Sequence, residues 1–230
     1  MAGWAEFAAA FTVFLLSHAL PVRPAVKAPL VRMLGAGGYT LVYSLVSVAV
    51  LAWLIVAAGR APHVPLWGWA PWQPRVPFVL MLPACLLVAC AIGAPNPFSF
   101  GGRADGFDPA RPGIAGVARH PLLWALVLWA GAHLVPNGDL AHVLLFGSLA
   151  GFALAGMAML DRRRRRLWGA RVWAELARAT SQVPGAALLS GRWRPAGGPP
   201  PLRLAAGLAL YGLMLWLHLP VIGARPWPPL

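Results

Sequence analysis

RHPLLWALVLWAGAHLVPNGDLAH, residues 119–142, is written for a helical hairpin in a solvent other than water. From Pro121 to Val135 it carries no charged residue apart from His133. Pro121 suits a first helical turn, where its missing N–H removes nothing. Asn137-Gly138 makes a tight turn, and Asp139 is placed to cap the helix that follows. His133 and His142 flank that turn. Two histidines beside one turn between two apolar helices are a chemical arrangement as well as a packing one.

The composition extends this reading to the whole chain. Of 230 residues, 59% are hydrophobic and only 11% are charged; soluble domains run near half apolar and a quarter charged. The charges gather in short clusters between long apolar runs, the pattern of transmembrane helices. A formal charge of +13 in a soluble chain would suggest nucleic acid. Here the arginines border apolar spans, so anionic lipid headgroups are the expected partner, above all at Arg162–Arg166, and no nucleic acid is expected. Cys85 and Cys90, five apart in one apolar run, fall on different helix faces; they read as two small buried hydrophobes, not a disulfide.

The expected fold is an all-α membrane protein with about six transmembrane helices and a short interfacial amphipathic helix, forming a single domain over residues 1–230. The spans are expected near Trp4–Leu20, Gly37–Ala58, Val76–Ala94, Pro121–Val135, Leu140–Leu160 and Leu202–Ile222. The first lacks the basic start of a signal peptide and reads as a retained helix. Pro21, Pro24 and Pro29 are expected to break the chain into a basic connector carrying Arg23, Lys27 and Arg32. The Pro- and Trp-rich loop from Gly59 to Pro77 reads as an aromatic rim at the membrane surface. Ala94–Gly102 reads as irregular backbone, and Gly101-Gly102 lacks the spacing of a phosphate loop. Residues 161–201 form a basic cytoplasmic loop. Within it Leu167–Thr180 is expected to be amphipathic, with Trp168, Val172, Leu176 and Ala179 on one side and Arg171, Glu175 and Arg178 on the other. Val183–Pro201 reads as a linker.

Six spans put all but three of the 19 Lys and Arg residues on one side, the three being Arg60, Arg75 and Arg225. The positive-inside rule then places both termini on the outer, periplasmic side of a bacterial inner membrane. It also sorts the histidines: His18 and His120 near the cytoplasmic face, His63, His133, His142 and His218 near the outer one. His120 and His133 are thirteen residues apart, about 20 Å of helix rise, so one small site cannot use both. Histidine within an apolar span is costly unless it is paired, lines a cavity or binds something. Neutral imidazole ligates haem iron, zinc, copper and non-haem iron; the alternative is that each ring is hydrogen-bonded to water or backbone near an interface. Arg119 and His120, at the start of a helix, suit a phosphate or carboxylate, or a lipid headgroup.

The run RHPLLWALVLWAGAHLVPNGDLAHVLLFG, with LLSHALP in the first span and APNPFSFGG before the fourth, resembles the NnrU family of bacterial inner-membrane proteins. The resemblance covers nearly the whole chain. It implies a link to nitrite and nitric oxide reductase expression in denitrifying bacteria. The family is similar to the plant zeta-carotene isomerases, membrane enzymes that use haem b held by two histidines. Those histidines match His18, in SHALP, and His133, in WAGAH, so the resemblance implies haem b with His133 and His18 as its metal ligands; the placement of His142 and His218 near the same face as His133 makes them the substitutes. The charge count puts His18 and His133 near opposite faces, so sharing one haem requires both side chains to reach toward mid-membrane or the first span to run deeper. A fainter similarity is to the isoprenylcysteine-type membrane methyltransferases. It rests on Arg119-His120-Pro121, Asp161, Gly169, Trp173 and Val183-Pro184, without the paired glutamates of that family.

Three functions follow from these residues. One is a haem protein serving nitrogen-oxide respiration, sensing, or isomerisation of a hydrophobic, lipid-like small molecule. The second is a methyltransferase-like enzyme using S-adenosylmethionine. The third is a non-enzymatic assembly factor or transporter; the acids Glu6, Asp139 and Asp161 all lie near span ends, which disfavours transport.

Overall fold

The structure is a computed structural model; it describes residues 2–21 and 23–227. It is all-α: α1 (Ala2–Ala19), α2 (Pro24–Arg60), α3 (Arg75–Ala91), α4 (Ile114–Val117), α5 (Pro121–Leu134), α6 (Leu140–Trp168), α7 (Ala170–Ala177), α8 (Ala186–Leu189) and α9 (Pro201–Ile222). Three of these, α2, α6 and α9, are long and apolar enough to cross a membrane. Their most apolar stretches are only 17%, 28% and 6% buried within the protein. Leu41, Leu45, Val48, Phe152, Leu208 and Trp216 are all exposed. Apolar area on this scale is unfavourable in water and neutral in hydrocarbon. The protein is a multi-pass membrane protein. Helices α3 and α5 are apolar but shorter, at 17 and 14 residues.

The chain forms two compact units, Met1–Gly68 with Gly138–Leu145, and Trp69–Asn137 with Phe146–Leu230. In the first, α1 packs on α2, burying Phe7, Ala10 and Phe14 with Leu54, Ala57 and Ala58. Alanines on both helices let the backbones approach closely, the usual way helices associate in lipid. Arg60 pairs with Glu6 at 3.2 Å at one end, and the Tyr39 hydroxyl donates to the Pro21 carbonyl at 2.8 Å at the other. The turn closes on the same unit: Leu66 N–H donates to Gly138 O (2.7 Å) and Leu140 N–H to Val64 O (2.9 Å). Asp139 caps α6 as expected, its Oδ1 accepting from His142 N–H at 3.3 Å.

The segment expected to be a proline-broken connector is helical instead. Pro24 opens α2 at its first turn, and Pro29 is accommodated within it. A proline disrupts only the hydrogen bond its own nitrogen would have made and the carbonyl its ring touches, and the break comes later, at Gly35 (φ 70°, ψ 166°). That backbone conformation is one side chains rarely adopt.

In the second unit α3 packs against α5 and α9, and α5 meets α6 through Leu123, Ala153 and Met157. Cys85 and Cys90 on α3 are free thiols and buried. The expected amphipathic helix is divided: α6 runs through the arginine cluster to Trp168, and α7 starts beyond Gly169. Its inward side is Trp173, Leu176 and Ala177, while Val172 is exposed. Short helices α4 and α8 pack together around Ala179, Ala187 and Trp193, where only a polar loop and a linker were expected.

Candidate functional site

Arg119 and His120 sit just before α5, and the structure draws both to one carboxylate. Arg119 Nη1 donates to Asp161 Oδ2. His120 Nε2 lies 3.0 Å from Asp161 Oδ1. A carboxylate only accepts, so Nε2 carries the proton. Asp161 comes from α6, one turn beyond Met157, whose packing against Leu123 of α5 sets the two helices side by side.

The rest of the cluster holds Arg119 in place. Its Nε donates to Thr180 Oγ1 (2.9 Å), which donates to Ala177 O (2.9 Å). Its backbone N–H donates to Ser181 O (2.7 Å), and its carbonyl accepts from Asn96 Nδ2 (3.0 Å). The guanidinium lies over the rings of Trp173, at 5.0 Å, and Phe98, at 5.7 Å. Asn96 Oδ1 also accepts from Phe98 N–H at 3.1 Å. The NPF of the APNPFSFGG run therefore supplies both a hydrogen bond and an aromatic face to Arg119. Gly93 N–H to Gly101 O (2.7 Å) and Asn96 N–H to Arg103 O (2.8 Å) shape that loop. Trp124 Nε1 donates to Gln182 O at 2.6 Å, strapping the segment after α7 onto α5.

Arg119 is 7% exposed and His120 is fully buried. A desolvated guanidinium and carboxylate in contact offset each other's burial penalty. The anion that Arg119 and His120 hold is thus the chain's own. In the second unit, three buried polar side-chain atoms remain without a partner among the described residues: His120 Nδ1, Trp173 Nε1 and Ser99 Oγ. With Nε2 protonated, Nδ1 is a hydrogen-bond acceptor.

The other histidines are anchored differently. His133 Nδ1 lies 2.7 Å from Trp129 O, and His18 Nδ1 lies 2.8 Å from Phe14 O. Each is a bond back to the residue four earlier in the same helix. His218 Nδ1 lies 2.8 Å from Ala224 O. A carbonyl cannot donate, so Nδ1 bears the proton in all three rings, and Nε2 is left as the lone-pair nitrogen. Metal-ligating histidines are commonly oriented by this kind of bond. His133 and His218 lie in the second unit with ring centroids 6.4 Å apart and planes 23° apart; Trp129 and Phe146 flank His133. His18 lies in the first unit, against Phe14 at 4.2 Å and Tyr43 at 6.1 Å. His142, also in the first unit, pairs through Nδ1 with Asp139 Oδ2 at 2.6 Å.

No group of three or more His, Cys, Asp or Glu residues among those described is placed to hold a metal ion. Sequence reasoning named all of these histidines but did not place Asp161, Asn96, Phe98 or Thr180 around Arg119. The signal open to it was an asparagine between prolines and an acid at the end of an apolar run.

These features belong to a helical, multi-pass membrane protein with a buried Arg–His–Asp cluster and backbone-anchored histidines. The family model described as NnrU protein matches residues 6–226, and the chain belongs to the NnrU family. No curated protein and no solved structure matches it.

Proposed function

We propose that this NnrU protein is a haem b protein of the bacterial inner membrane, in which His133 would hold the iron and His18 is the second candidate ligand named by the family resemblance. The observation that supports this is the shared setting of the two rings. Both fix the Nδ1 proton on the carbonyl four residues back and keep Nε2 for a metal. His218 has the same Nδ1 anchoring and lies beside His133, so it is the competing second ligand. With two histidines a haem iron serves electron transfer, and with one it is open to nitric oxide or another small molecule. The role that fits is support of nitrite and nitric oxide respiration, or redox-type isomerisation of a lipid-like substrate.

The arrangement in the membrane is six spans, formed by α1, α2, α3, α5, α6 and α9, with both termini periplasmic. It is supported by the charge: all Lys and Arg residues but Arg60, Arg75 and Arg225 then fall on the cytoplasmic side. Residues 161–201 would form the basic cytoplasmic loop.

The test is the visible spectrum of the protein purified in mild detergent after expression with ample haem. A Soret band at near-stoichiometric haem is expected. A colourless protein overturns the haem reading and leaves the family assignment untouched.

A further inference from the structure

Arg162, Arg165 and Arg166, three and four residues apart on α6, line one open cleft of about 370 Å³ together with Ala170, the first residue of α7. Residues at that spacing share a helix face. None of the three has an ion-pair partner among the described residues, where the ion pairs are Arg60–Glu6, Arg111–Asp108, Arg119–Asp161, His120–Asp161 and His142–Asp139. Asp161 is the adjacent carboxylate, and both its oxygens are already occupied by Arg119 and His120. Arg165 is steadied over the Trp173 ring, with 6.0 Å from its Cζ to the centroid. Arg164 turns instead to Trp168, at 5.3 Å. Arg162, Arg165 and Arg166 thus line the cleft, Arg165 also lying over an indole, while Arg164 covers the Trp168 ring outside it.

We propose that this cleft is a binding site for the phosphate of an anionic glycerophospholipid headgroup. Three guanidiniums converging without a carboxylate are matched by a group of several anionic oxygens. Where the cleft reaches Ala170 it also meets the start of α7, whose first N–H groups have no acceptor within their own helix and add to the positive potential. The source is lipid because the apolar run of α6 ends at Leu160, two residues before Arg162. That is about 3 Å of helix rise, which sets the cleft at headgroup level.

The experiment uses the full chain in mild detergent, with retained lipid counted by native mass spectrometry after addition of phosphatidylglycerol, phosphatidylcholine or inorganic phosphate. Wild type is expected to retain phosphatidylglycerol about tenfold better than phosphatidylcholine. The triple variant R162Q/R165Q/R166Q should lose that preference, and the charge-matched variant R163Q/R171Q/R178Q, outside the cleft, should keep it. An equal loss in both variants overturns the proposal, since diffuse charge would then be the cause. So does an unchanged preference in the cleft variant, or retention of inorganic phosphate with no preference among lipids. Elution of each variant as a monodisperse peak separates loss of the site from loss of the fold.

Discussion

His120 Nε2 and Asp161 Oδ1 meet at 3.0 Å although 41 residues of chain separate them. The contact joins the start of α5 to the end of the apolar run of α6. Arg119 holds the other oxygen of the same carboxylate. Removing the carboxylate leaves a buried guanidinium without its counter-charge, which typically costs about 3–5 kcal/mol. D161L should therefore lower thermal stability in detergent sharply. R119M/D161L should be less destabilised than D161L alone, because no uncompensated charge remains. A double variant that is worse than both singles would show that the pair is not the source of the effect.

The histidines yield a spectroscopic prediction. H133A should remove most of the Soret absorbance, with a loss of haem affinity above the roughly ten- to hundredfold typical of removing a group that only hydrogen-bonds a metal ligand. Of H18A and H218A, the one that removes the second ligand should convert a two-histidine spectrum to one that binds nitric oxide or carbon monoxide. H142A should leave the spectrum as it is, since that ring is paired with Asp139. Wild-type spectra in all four variants would exclude these four histidines as ligands.

Helix α9 crosses α3 at Gly207. A Cβ built there would stand 2.8 Å from Leu86 Cδ2, 3.1 Å from Leu86 Cα and 3.4 Å from Ala89 Cβ. Gly212, five residues on, has open space. G207V should cost about 1–3 kcal/mol through overpacking, and G212V close to nothing. Thermal unfolding of the two variants side by side reads the difference directly.

Arg203 closes the same end of this helix pair, one turn before Gly207 on α9. Its Nη1 lies 3.1 Å from Ala89 O, 2.9 Å from Cys90 O and 3.0 Å from Ile92 O. These are carbonyls at the end of α3, which helix geometry leaves without donors. R203A should cost about 1–3 kcal/mol. R203K should recover only part of it, because an ammonium is a single point of charge on a flexible stem and lacks the fixed guanidinium fork. Amide hydrogen exchange at the end of α3 should speed up in R203A before global stability is lost.

Much of the fold was legible because lipid leaves a plain record in sequence. Uninterrupted apolar runs marked α3, α5 and α9 and the start of α6 to within a few residues; α6 runs eight residues past the expected Leu160, through the arginines to Trp168, and Pro121, Asn137-Gly138 and Asp139 marked the hairpin chemistry. What local patterns could not supply was distance-spanning pairing. Asp161 read as one acid beside five arginines, and nothing in its neighbours tells that Arg119, 42 residues away, would take it. Asn96 lay among prolines and glycines that suggested only irregular backbone, yet it is buried and holds the Arg119 carbonyl. The prolines near Arg23 misled for the opposite reason. Proline is a breaker inside a helix but a starter at its first turn, and Pro24 does the second.

The departure of Gly35 from helical geometry makes α2 an elbow instead of a rod. The arm with Lys27 and Arg32 and the arm with Tyr43 and Leu54 are joined at a residue whose backbone is not helical, so the two need not share one axis. Each arm is left to settle at the depth and tilt its own side chains prefer, and a bilayer that thins or thickens strains the joint before it strains either helix.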